Sequence, residues 1–136
     1  MTKTSAQVRV HLDARLARLG LVAEEPRPER GWIRAVRDAL GMSSAELAAR
    51  MDIGQSSISG LEHRETSETI RLHSLRRAAD ALDCDLVYFF VPRTTLDEAV
   101  LAQAQRKAAQ LRGDQSQTVD EVVEQLVDGR GLWSEA

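Results

Sequence analysis

The sequence predicts a mainly α-helical fold with one short strand, and three observations carry that reading. Aromatic residues are only 4% of the 136-residue chain against 43% hydrophobic overall, so its apolar content is mostly aliphatic and alanine. Eight glycines and three prolines are too few to punctuate a many-stranded sheet. Apolar residues recur at three- and four-residue intervals in successive segments, which is the helical period. A chain of this length suits one core with appended arms. The segments fall at 1–22 (an N-terminal amphipathic helix), 23–30 (a linker), 31–92 (a compact bundle ending in the strand) and 93–136 (an acidic helical extension).

Over residues 5–19, Val8, Leu12, Leu16 and Leu19 mark one face of a helix whose other faces hold Arg9, Arg15 and Arg18. Pro26 and Pro28, set among charges, block helix propagation and make residues 23–31 a connection. Trp32, Ile33, Val36 and Leu40 trace a first bundle helix that Gly41 can stop in the left-handed conformation. Ser43 restarts the chain as an N-cap, and Glu46 three residues on completes a capping box, giving a second helix to Met51. Asp52, Ile53 and Gly54 form a turn, and a third helix runs from Gln55 to about Arg64. A looser stretch over 65–69 follows, and Leu72, Leu75, Ala79 and Leu82 lie on a fourth helix. The expected core is Val36, Leu40, Leu47, Ala48, Met51, Ile53, Ile58, Leu61, Leu75 and Leu82.

Leu86, Val87, Tyr88, Phe89, Phe90 and Val91 are too few for a helix and rich in aromatic and branched side chains, so they read as a strand. A lone strand leaves its backbone N–H and C=O groups unpaired, and no other segment offers a partner. Pairing with the same strand of a second copy about a twofold axis satisfies both edges and predicts a homodimer. Beyond Pro92, an alanine- and glutamine-rich helix over 96–111 breaks at Gly113 and Asp114. A last helix covers 119–127, and Leu132 and Trp133 form an apolar end that needs a docking site.

The net charge of −3 conceals a division along the chain. Residues 1–22 carry +3 and 27–77 carry +2, whereas 78–92 and 93–136 carry −3 each. A basic N-terminal portion beside an acidic tail lets one face meet phosphate while another meets a different partner. The single Cys84 has no bonding mate or metal-ligand spacing, so it reads as a small buried residue of a cytoplasmic protein. No apolar run approaches the roughly 18 residues of a membrane span, and residues 1–7 lack the core of a signal peptide. His11, His63 and His73 stand apart from each other and read as surface residues. No nucleophile, base or metal cluster converges, so neither an enzyme nor a cofactor is expected.

The informative string is SSAELAARMDIGQSSISGLE, residues 43–62. Two helices crossing through a short turn need a small residue where they approach, here Ala48, and apolar anchors, here Leu47, Ile53, Ile58 and Leu61. This string resembles the XRE helix-turn-helix family, the class of phage Cro and repressor proteins, over residues 32–82. Asp52 stands where the family has a turn glycine and Gly54 where it has a capping serine or threonine. Asp tolerates left-handed angles and Gly is an acceptable N-cap, so both departures fit. The resemblance implies a phage-repressor-like bundle whose third helix enters the major groove of double-stranded DNA. It places Gln55, Ser56, Ser59 and Gly60 at base edges, and Ser43, Ser44, Arg50, His63, Arg64 and Arg71 on phosphates. It also implies an ion pair, Arg37 with Glu62, bracing the first helix on the third.

Two further stretches, RPERGWIRAVRDALGMSSAELA (27–48) and LRRAADALDCDLVYFFVP (75–92), resemble the mobile mystery protein A family, which is encoded beside a Fic-domain protein. The strand is also similar to that of HipB-type antitoxins, which pairs across a dimer. Together these imply a dimeric repressor of its own operon reading an inverted repeat. The alternative is an antitoxin or interaction protein that holds a Fic-domain partner with its C-terminal helices, and the two roles are compatible. Fic inhibitors commonly carry a Ser/Thr-x-x-x-Glu-Gly/Asn helix; Thr94 to Glu98 keeps the first part, but Ala99 replaces the last residue, which argues against that route.

Overall fold

A computed structural model describes residues 4–110, 119–127 and 131–134. Among these, eight helices form two compact units. One is Glu25–Phe89; the other joins Met1–Glu24 to Phe90–Ala136. The predicted helix end at Leu111, the break at Gly113 and Asp114, and residues 1–3 lie outside the described residues.

The central unit holds α3 (Trp32–Ala39), α4 (Ser44–Met51), α5 (Ser56–Thr66) and α6 (Leu72–Ala81). Its core is Ile33, Leu47, Ala48, Met51, Ile58, Leu61, Ala78, Ala81 and Leu82, with Val36, Ile53, Ile70 and Leu75 packed against it. Leu47 and Ile58 are completely buried, so the apolar anchors of the two middle helices form its centre. Leu40, expected in the core, is 56% exposed, because it is the C-cap where α3 is already leaving the bundle. On α6 the inward stripe is Ala78, Ala81 and Leu82 rather than one led by Leu72, which is exposed.

Each of these helices stops in the same way. Gly41, Asp52, Glu68 and Asp83 take left-handed angles with φ of 66, 56, 60 and 56°. The next N–H then reaches back to the helix: Met42 to Arg37 O, Ile53 to Ala48 O, Thr69 to Arg64 O and Cys84 to Ala79 O, all at 2.8–3.0 Å. These bonds satisfy carbonyls that the last turn leaves over. Arginines close other ends: Arg50 Nε donates to Ala81 O at 2.6 Å and Arg77 Nη2 to Met51 O at 2.8 Å.

The start of α3 has no side-chain cap, since its N-cap is Gly31. The carboxylate of Glu65, buried on α5, takes that place and accepts from the N–H groups of Trp32 and Ile33 at 2.8 Å each. Gly31 stands at φ 87°, and a Cβ there would come within 2.7 Å of Glu65 Oε1, so glycine is required. The stretch expected to loosen at residue 65 is therefore the last turn of α5 and holds the bundle together.

The predicted strand does not form within the chain: residues 84–92 carry no helix, strand or turn. A strand exists only through hydrogen bonds to a neighbour, and one copy supplies none. Val87, Tyr88 and Phe90 are instead 75, 62 and 86% exposed. Cys84 is also exposed, because the left-handed turn at Asp83 carries it off the end of α6.

The other unit contains α1 (Ser5–Ala17), the short α2 (Gly20–Ala23), α7 (Leu96–Gln110) and α8 (Val119–Val127). Val100, Ala104, Ala108, Val123 and Leu132 form its core. The N-terminal helix, read from sequence as a separate arm, packs on α7. Asp13 caps α7 by accepting from Leu96 N at 2.7 Å and Asp97 N at 3.2 Å, and Arg9 turns inward to pair with Asp97 at 3.4 Å. Leu132 is buried whereas Trp133 is 62% exposed. No helix among the described residues is long and apolar enough to cross a membrane.

Candidate nucleic-acid interface

The sequence fixes both ends of α4. Ser43 Oγ accepts from Glu46 N and Ser43 N donates to Glu46 Oε1, each at 3.1 Å. The Ser43 hydroxyl, and after it the Ser43 N–H, hold the Glu46 carboxyl below the usual carboxylate range. The first-turn N–H groups of Ser44 and Ala45 are left over by this box and, at the positive end of the helix, suit a phosphate oxygen. Ser43 is exposed and Ser44 half-buried.

Asp52 reverses the chain at φ 56°, ψ 47°, and Gln55, already at helical angles, begins the first turn of α5. Ile58, Leu61, Glu62 and Glu65 of α5 point inward. Gln55, Ser56, Ser59 and His63 lie exposed, and their side chains make no hydrogen bond among the described residues. One helix thus anchors itself with one face and presents unused donors and acceptors on another. Gly60 is half-buried on α5, and a Cβ there would meet only Arg64 Nη1, at 3.2 Å, so crowding against α3 does not account for it. Arg64 and Arg71 are exposed, with no ion pair among the described residues.

The position of α5 is set by Arg37 and Glu62. Arg37 Nε donates to Glu62 Oε1 at 2.7 Å, and both side chains are about nine-tenths buried. Arg37 Nη1 also donates to Met42 O at 3.1 Å, tying the start of α4 to the same group. The hydrogen bond to Glu62, opposed by desolvation, raises the guanidinium above its ordinary value. Arg50 has a structural engagement that its pattern position did not reveal: besides Ala81 O, it contacts Asp83 Oδ1 at 3.2 Å. Glu65 was missed altogether; the missing cap at Gly31 was the available signal.

Residues 33–89 match the helix-turn-helix family. They are a helix-turn-helix domain of the XRE type. The match spans α3 to α6 and the segment after them, so the DNA-binding, regulatory part of the chain is the central unit. No curated protein and no solved structure shows significant similarity to the chain. The helix-turn-helix domain is held by caps and one buried ion pair that leave the outer face of α5 unengaged.

Proposed function

We propose that the chain is a cytoplasmic transcriptional repressor of its own operon, binding an inverted repeat as a dimer. The observation that carries this reading is the outer face of α5, where Gln55, Ser56 and Ser59 are exposed and unbonded on a helix braced from behind. Gln55 has the geometry to bond adenine N6 and N7, and the serines donate or accept at several bases. Ser43, Ser44, His63, Arg64 and Arg71 then meet the backbone. An electrophoretic shift with DNA from upstream of the gene tests this. Gln55→Ala combined with Ser56→Ala is expected to cut preference for the operator over unrelated DNA by about 10- to 100-fold; unchanged preference removes α5 as the reading helix.

The dimer rests on residues 86–91. Val87, Tyr88, Phe90 and Val91 are all exposed on one copy, an apolar run that a second copy can cover. Beside it, an apolar groove of about 330 Å³ between Trp32, Val36, Leu75 and Leu86 extends the same surface. Two such segments paired about a twofold axis would set the recognition helices about 34 Å apart, one turn of the duplex.

A second reading, membership of the mobile mystery protein A family with a Fic-domain partner, draws on exposed Trp133 in the outer unit. Glu98 is engaged in capping α7, donating no free carboxylate: Thr95 N reaches Glu98 Oε2 at 3.3 Å and Glu98 N reaches Thr95 Oγ1 at 3.1 Å. The partner would be held by surface rather than by an inhibitory glutamate. Co-purification with the product of the adjacent gene should fall after Trp133→Ala. Undiminished capture would exclude that surface. Truncation at Pro92 is unsuitable, because it removes the helix on which α1 packs.

A further inference from the structure

Beside the outer face of α5, a cleft of about 370 Å³ is lined by Glu29, Arg30, Arg34, Ser59, Glu62 and His63. Arg30 comes from a segment that reads as linker in the sequence yet belongs to the helix-turn-helix unit, and Arg34 from the first turn of α3. Three contacts fix it. Arg27 pairs with Glu68 at 3.3 Å, Gly31 N closes a turn on Pro28 O at 2.9 Å, and Glu65 holds the N–H groups of Trp32 and Ile33. The arm is therefore pinned beside α5, and Arg30 on the arm and Arg34 on α3 keep a set position relative to Ser59 and His63.

The acids around the cleft are largely committed to other partners. Glu62 is occupied by Arg37 at 2.7 Å, and Asp38 is shared between Arg34 at 3.6 Å and Arg37 at 3.8 Å. The Nε of Arg34 is buried without a hydrogen-bond partner. Arg30 is exposed and has no ion pair among the described residues, and the remaining uncommitted acid is Glu29. Ser59 and His63 sit one turn apart on α5, C-terminal to Gln55 and Ser56. A helix lying in the major groove, about 12 Å wide, has a row of phosphates along each side. Side chains one turn from the base-reading positions meet that row.

We propose that Arg30 and Arg34, with the His63 ring, clamp one backbone phosphate of the DNA that α5 reads. The clamp rests on α5 facing DNA, and it makes the arm before α3 part of the interface. Arginine suits this task because its planar fork can donate to two phosphate oxygens at once. A phosphate contact carries no base information, so the clamp sets register and affinity while Gln55 and Ser56 discriminate.

The test is fluorescence anisotropy of the full chain with a duplex from upstream of its gene and with a scrambled duplex, across a range of salt. Arg30→Ala with Arg34→Ala is expected to weaken both duplexes equally, by roughly tenfold or more, and to lower the slope of log affinity against log salt by about two. Arg30→Ala alone, at a side chain with no bond to lose, should lower the slope by about one and leave the thermal midpoint unchanged. Wild-type affinity and slope in both variants, with discrimination still lost in the Gln55, Ser56 variant, overturns the clamp and leaves the reading of α5 standing. Loss of discrimination in the arginine variants, at unchanged slope, overturns it as well. A wild-type chain that binds neither duplex sinks both ideas together.

Discussion

Glu62→Ala should destabilise the helix-turn-helix domain by about 3–5 kcal/mol, the usual cost of removing one partner from a buried ion pair. The substitution leaves the Arg37 guanidinium nine-tenths buried with its 2.7 Å acceptor gone, Met42 O its remaining hydrogen-bond acceptor and the exposed Asp38 carboxylate 3.8 Å away. Small domains hold roughly 5–15 kcal/mol in total, so the variant would be marginal at room temperature. Urea unfolding followed by circular dichroism reads the loss as a fall in midpoint at constant slope. Replacing both partners, Arg37→Met with Glu62→Leu, should recover most of the stability, because no charge is then left unpaired. A loss below about 1 kcal/mol in the single variant would place the pair with weak surface pairs and deprive it of its bracing role.

Phe90→Asp should convert the proposed dimer to a monomer and lower operator affinity by about 10²–10⁴-fold. That is the avidity gained when a second binding event becomes intramolecular. Phe90 is 86% exposed in the single copy, so the substitution removes no packing within the chain and its effect reports on association. A carboxylate facing its twofold mate in an apolar contact is strongly disfavoured. Sedimentation gives the oligomeric state and anisotropy the affinity. A dimer that survives both Phe90→Asp and Tyr88→Asp would assign the contact to another surface. Loss of the dimer at full operator affinity would mean that one copy reads the site unaided.

Local signals were legible and non-local ones were not. The capping box of Ser43 and Glu46, the left-handed stop at Asp52 and the inward Leu47, Ile58 and Leu61 all depend on residues within a few positions, and each lies where its pattern places it. Leu40 misled because a helical stripe does not say where the bundle ends. Glu65 acts across 33 residues and Asp13 across 83, and neither spacing has a periodic signature. Arg50 occupies a pattern position for phosphate, but its guanidinium reaches the end of α6, a direction that only the folded chain defines. The proposed reading face lies within the motif, whereas the arm beside it was concealed by its prolines, which speak for a connection and say nothing of what the connection touches.

The capping of α7 by Asp13 also sets a timetable for synthesis. α1 is made before α7, and the N–H groups that its Asp13 accepts from appear 83 residues later. At about 5–20 residues per second that is a wait of roughly 4–17 s. The central unit is contiguous in sequence and has no such wait. By the end of that interval the whole helix-turn-helix domain has been synthesised beside a helix whose half-buried Leu12 and Leu16 still lack the surface of α7. A chain cut short before α7 would therefore carry a complete helix-turn-helix domain beside an uncovered α1.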